Sequence, residues 1–257
     1  MVVWMTKVVL VMEYDGTYYH GFQWQSGLPS IQREVETAVE KLSGEECRVI
    51  AASRTDAGVH AKGQVVSFRA KSSLPTDTFI HGLNHYLPGD IAVKAAYRVS
   101  DSFNVRRDAI SREYSYHIWN SPIRSPMLAA FSYLMASPLD IEMANRACQA
   151  LTGEHDLASF ASGDGARLRN TVKRVFKAEL ERDGEMVIFN IVANSFLPHQ
   201  VRNTVGVLIR VGSGKVGVDE FNSIIEARKP GMAGPTVPAC GLCLNRINYS
   251  SPLGEVE

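Results

Sequence analysis

The chain lacks most of the features that place a protein quickly. It has no apolar run of membrane-spanning length: the run near the N-terminus, Val8 to Met12, stops at Glu13. No signal-peptide cleavage pattern accompanies it, so a cytosolic protein with no membrane partner is expected. Net charge is absent too, with 27 Lys and Arg against 27 Asp and Glu, so bulk charge points to no polyanionic partner. Cysteine is scarce. Cys47 and Cys148 stand alone. Cys240 and Cys243 form a C-x-x-C near the C-terminus, away from the start of any βαβ unit and without two further zinc ligands at matching spacing. No Ser-His-Asp set stands out. The economical expectation is an enzyme that uses neither metal nor cofactor.

What is present is orderly. A hydrophobic content of 45% and a charged content of 21% suit a soluble globular protein. The length allows one large domain or two small ones. Residues 6–14 read as a strand. Ser30 is placed to cap a helix over 31–42, with Ile31, Val35, Val39 and Leu42 on one face. Strands follow at 46–52 and 64–69, a helix at 76–87 between Pro75 and Pro88, and a strand at 91–99. The second half repeats the order. A strand at 112–119 leads to a helix at 139–152, closed by Gly153 as its C′ residue. Strands at 173–182 and 185–193 are joined by Asp183-Gly184, a hairpin signal. Helices at 198–211 and 219–228 and a strand at 241–248 complete it. Each half is β-α-β-β-α-β, the second with an extra helix. The expected class is α+β: two tandem ferredoxin-like (RRM-like) halves with mainly antiparallel sheets and a cleft between them. The expected domains are residues 1–104 and 105–257.

The sharpest motif is Arg54-Thr55-Asp56-Ala57-Gly58-Val59-His60, a loop between two strands. Chemistry tends to sit on such loops. Arg54 favours an ionised Asp56, and Gly58 permits a tight turn or a close ligand. An ionised, accessible carboxylate can be a nucleophile or a general base; alone, the pair could as well be an ion pair tying the loop down. Gly212 to Gly217 matches G-x-G-x-x-G but follows a helix, so it reads as a loop between helices rather than a dinucleotide site. Pro198 suits a first helical turn, with Arg202 one turn later, near an anion-friendly helix N-terminus. Tyr114 and Tyr116 share one face of a strand, the spacing of core residues or of a base-stacking ring. Arg outnumbers Lys by 18 to 9, and Arg suits bidentate phosphate recognition. Two basic stretches stand out, one with Arg167, Arg169, Lys173, Arg174 and Lys177, the other with Arg98, Arg106, Arg107, Arg112 and Arg124. Together they suggest a localised polyanion footprint.

These residues, taken together, resemble the tRNA pseudouridine synthase A family over nearly the whole chain. The likeness starts with Glu13-Tyr14-Asp15-Gly16-Thr17 and Gly21-Phe22-Gln23-Trp24-Gln25. It runs through Arg54 to Ala61, Leu83-Asn84, Arg112 to Tyr116, Gly153 to Asp156 and Phe196 to Gly206, ending at Pro238 to Leu242. The resemblance implies isomerisation of uridines at positions 38 to 40 of the tRNA anticodon stem-loop, without cofactor or metal. It implies that Asp56 is the nucleophile, attacking ribose C1′ or base C6. Tyr114 would stack on the target base, Arg54 would help extrude the uridine, and Arg202 would pair with Asp56. It also implies a homodimer, with one tRNA touching both subunits. Expected tRNA contacts are Phe103, Asn104, Arg106, Arg107, Arg112, Arg167, Arg169 and Lys173. Ser53 stands where the family carries Gly, and Asn104 and Arg107 where it carries His and Phe. The alternatives are a non-catalytic tRNA-binding module, which predicts a broken Asp–Tyr–Arg set, and a small-molecule enzyme on the same fold.

Overall fold

The computed structural model describes residues 6–71, 74–162 and 170–255. Two compact units divide the chain. The first runs to Arg112 and resumes at Leu244; the second is Glu113–Cys243. The sequence gives no sign that the last strand returns to the first unit.

In the first unit, β1 (Thr6–Tyr14) lies between β3 (His60–Ala70) and β4 (Ile91–Val99), antiparallel to both, with Leu10 opposite Val66 and Ala96. The short β2 (Ile50–Ala51) pairs with β3. The order β4-β1-β3-β2 is that of a ferredoxin-like half. The last strand, β10 (Leu242–Tyr249), also lies beside β3. Helix α1 (Ile31–Ser43) buries Ile31, Val35, Ala38 and Val39 at helical spacing, and α2 (Thr76–Tyr86) buries Phe79 and Leu83. The Phe79 ring meets Phe68 of β3 edge-on, centroids 5.9 Å apart.

The second unit orders its strands β5-β9-β8-β7: β5 (Ala109–Trp119), β9 (Met186–Ala193), β8 (Val172–Asp183) and β7 (Gly153–Asp156). A two-residue β6 (Tyr133–Leu134) pairs parallel with β5. Gly184 and Glu185 form the tip of the β8–β9 hairpin, with Asp183 paired to Met186. Helices α3 (Ile141–Gln149), α4 (Gln200–Gly212) and α5 (Val218–Ala227) complete the unit. Phe160, Phe189 and Phe221 are fully buried. Gly212 to Gly217 connects α4 to α5.

Each unit fixes a helix to a strand with one asparagine amide. Asn84 on α2 donates to Val93 O and accepts from Val93 N, at 2.9 and 2.7 Å. Asn145 on α3 does the same with Leu180 O and N, at 2.8 and 2.7 Å. Asn145→Ala leaves a carbonyl and an amide of β8 without these partners. It is expected to lower the unfolding free energy by about 1–3 kcal/mol, read from a denaturant midpoint at unchanged slope.

Four local expectations are corrected. Ser30 is the N-cap residue of α1, but its side chain makes no cap bond and its buried hydroxyl has no partner. Residues 46–49 do not extend β2, because side chains of α1 take the backbone of Val49: Glu36 Oε1 accepts from its N–H and Gln32 Nε2 donates to its carbonyl. Helix α3 ends at Gln149, and the next residues close in i→i+3 turns, Leu151 N to Cys148 O and Thr152 N to Gln149 O. Gly153, at φ +114°, opens β7 instead of capping that helix. Helix α4 begins at Gln200 rather than Pro198, because His199 turns left-handed at φ +58°.

Candidate active site

The loop from Ala52 to Val59 joins β2 to β3. The N–H of Val59 donates to Asp56 O at 3.1 Å, and Gly58 holds φ +76° at the third position of that turn. A positive φ there is the mark of a type II turn and requires glycine or asparagine. Asp56 is therefore the first residue of a tight turn, its side chain half-buried, between exposed Ala57 and buried Thr55. Ser53 takes an ordinary negative φ, so no glycine is needed at that position.

A second loop, residues 15–29, braces the first. Phe22 N donates to Thr55 O at 3.0 Å, and Gly58 N donates to Tyr19 O at 3.2 Å. Gly21, at φ +86°, lies so close that a Cβ there would sit 2.6 Å from Thr55 O and 3.0 Å from the carbonyl carbon of Asp56. The brace touches the peptide of the candidate nucleophile itself.

Guanidinium groups hold the start of the loop. Arg106 Nη2 donates to Ala51 O at 3.2 Å. Arg112, 7% exposed, donates through Nη2 to Ala52 O and Arg106 O and through Nη1 to Ala109 O. Burial and then the Arg54 cation lower the pKa of Arg106, so both charges are felt at this loop. Arg54 itself is exposed. Asn104 Oδ1 accepts from the N–H groups of Arg106 and Arg107, each at 3.0 Å, and Asn104 N donates to Asp108 Oδ2. Arg107 is exposed and pairs with Asp108 at 2.7 Å. That pair, with the Asn104 N–H, holds the Asp108 carboxyl below its usual range. Phe103 is buried against Tyr249, centroids 5.2 Å apart.

In the second unit, Tyr114 on β5 is 6% exposed, its ring edge-on to Phe196 with centroids 5.1 Å apart. Tyr116, two residues on, is fully buried and donates to Pro238 O at 2.7 Å. Arg202, in the first turn of α4, donates through Nε to Val237 O at 2.8 Å. Arg167 and Arg169 lie outside the described residues. The basic stretch that includes them divides by strand alternation. Lys173 points inward, 6% exposed, and burial lowers its pKa. Arg174 and Phe176 point outward, with the guanidinium 5.8 Å from the ring centroid. The period-2 rule applied within that stretch would have found this division. At Phe103, Arg112 and Lys173 the structure shows packing and backbone anchoring.

His81 and His85 stand one turn apart on α2, a pair the sequence reading passes over. Among the described residues no cluster of three or more His, Cys, Asp or Glu could hold a metal, and no helix is long and apolar enough to cross a membrane. Cys240 and Cys243 form no disulfide.

The tRNA pseudouridine synthase family profile matches residues 10–108 and 147–250. The chain is 41% identical to tRNA pseudouridine synthase A of Acetivibrio thermocellus over 245 residues, 95% of this chain and 100% of that protein. It is 38% identical to the protein of that name from Legionella pneumophila strain Lens, over 98% of this chain and 95% of that one. The namesake from Pelobacter propionicus is 37% identical, over 95% of this chain and 100% of that one. The matched segments include the Asp56 loop with its brace, and Arg202. The chain belongs to the tRNA pseudouridine synthase family.

Proposed function

We propose that this chain isomerises uridines at positions 38 to 40 of the tRNA anticodon stem-loop to pseudouridine, with Asp56 as nucleophile. The observation that carries the reading is the half-exposed Asp56 at the head of a turn anchored on both sides. The carboxylate adds to ribose C1′ or base C6, and the N1–C1′ bond breaks. The uracil turns while held, C5 bonds to C1′, the carboxylate leaves the atom it had added to, the C5 hydrogen departs as a proton, and N1 takes one up. The product has the atoms of the substrate. Arg54 helps to extrude the uridine, since a stacked base must leave its stack before it can react. Tyr114 stacks on that base and assists removal of the C5 proton. Arg202 pairs with the carboxylate. The protein acts as a homodimer in the cytoplasm, with one tRNA touching both subunits.

The direct test is tritium release from tRNA carrying 5-tritiated uridine. Release by the wild type supports the reaction; no release with tRNA still bound supports a binding module instead. Phosphate contacts fall to exposed cations, among them Arg54, Arg106, Arg107 and Arg174. For about four such contacts, tRNA affinity is expected to fall roughly 100-fold between about 50 and 200 mM salt. A filter-binding titration checks this, and a flat profile would favour a nucleoside-sized substrate.

A further inference from the structure

Beside those two guanidinium groups, the start of the Asp56 loop is held by Gln64 on β3, which is 0% exposed. Its Nε2 donates to Ser53 O at 2.8 Å and to the Tyr14 hydroxyl at 3.3 Å. Its Oε1 accepts from Ser53 N at 3.4 Å and Val65 N at 3.2 Å. One amide thus uses both N–H groups and both lone pairs of its oxygen. The Tyr14 hydroxyl, 2.8 Å from Thr55 Oγ1, carries the chain of hydrogen bonds to the residue before Asp56. Tyr14 and Thr55 are 4% and 6% exposed. The carbonyl of the same Thr55 is taken by Phe22 N. Ser53 is therefore fixed at its backbone, and Thr55 at both its side chain and its carbonyl.

We propose that Gln64 and Tyr14 are positioning residues for Asp56: a buried Gln64–Tyr14–Thr55 relay sets where the nucleophile's carboxylate stands. Three features separate this from ordinary core packing. The relay ends one residue before the nucleophile. It joins β1 and β3, which pair antiparallel along most of their length, to a loop with no ladder of its own. And its atoms are polar in an environment where apolar ones would cost less. A displacement of a reacting group by about 1 Å can cost about 100-fold in rate.

The proposal rests on Asp56 being the nucleophile, and the test separates the two. Tyr14→Phe removes one oxygen and keeps the ring. Thr55→Val removes the hydroxyl at nearly constant shape, and Thr55→Ser retains it. Single-turnover isomerisation and tRNA binding are measured for each, with thermal melts as a control for folding. Tyr14→Phe and Thr55→Val are expected to lower kcat about 10- to 100-fold with KM and tRNA affinity unchanged. Thr55→Ser is expected to stay close to wild type. The Tyr14→Phe, Thr55→Val double variant is expected to lose no more than the worse single, because both cut the same relay. Full kcat in both isosteric variants, or a loss confined to KM, overturns the relay. Inactivity of the wild type overturns the parent reading instead. Gln64→Ala adds a third cut; should it fail to fold, the isosteric pair still decides.

Discussion

Asp56→Ala is expected to reduce tritium release from 5-tritiated tRNA to background while leaving tRNA affinity within about a factor of two or three. The separation follows from where the side chain sits. Asp56 contributes one half-buried carboxylate, whereas in the proposed function the neighbouring exposed cations Arg54 and Arg106 are what attract phosphate. If Asp56 is the covalent nucleophile, as proposed, its removal leaves the reaction no intermediate to pass through, but removes no positive charge. The turn survives the change, since its bond runs from Val59 N to the backbone oxygen of residue 56. Asp56→Asn has nearly the same shape and is expected to be equally inactive. Product formation by either variant at a rate near wild type would remove Asp56 from the chemistry. Loss of binding as large as loss of rate would make it a contact residue.

Gly21→Ala is expected to be nearly as damaging to rate, though the position carries no chemistry. A Cβ at residue 21 meets Thr55 O at 2.6 Å, the Asp56 carbonyl carbon at 3.0 Å and Ala57 N at 3.2 Å, all backbone atoms without a rotamer to yield. The backbone at φ +86° adds its own penalty for a side chain. Left-handed strain of about 1–2 kcal/mol and overpacking of about 1–3 kcal/mol together give about 2–5 kcal/mol of lost stability. Relief of the clash must move the Asp56 peptide, so kcat is expected to fall about 100-fold or more. A denaturant melt and a single-turnover rate check the two effects separately. A variant that folds as well as wild type and retains its rate would mean that the 15–29 loop is free to retreat.

The sequence was most readable where one physical period dominated. Alternation at Tyr114, Tyr116 and Ile118 marks β5, and 3.6-residue spacing marks α1 and α4, within a few residues at each end. It was least readable where side chains replace backbone partners. Gln32 and Glu36 are ordinary polar positions of an amphipathic helix, yet they satisfy Val49 and so remove a strand from 46–49. The Asp56 loop was legible as a motif, but what holds it was not. Arg112 reads as one more cation of a basic stretch, and Gln64 as a polar residue in a strand. Only the fold reveals that one grips Ala52 O and the other Ser53. Lys173 fails as a surface cation for a simpler reason: a stretch of like charges counted in sequence alternates between two faces once it becomes a strand.

Strand β10 carries a consequence for biogenesis. Leu244 onward belongs to the first unit, lying beside β3, although the whole of the second unit is made before it leaves the ribosome. During synthesis the β3 flank that β10 covers stays open, an edge available to other chains. The unit holding the candidate nucleophile is thus the last to be completed. Its closure spans a sequence separation that slows folding, and a chain released before residue 244 cannot finish it.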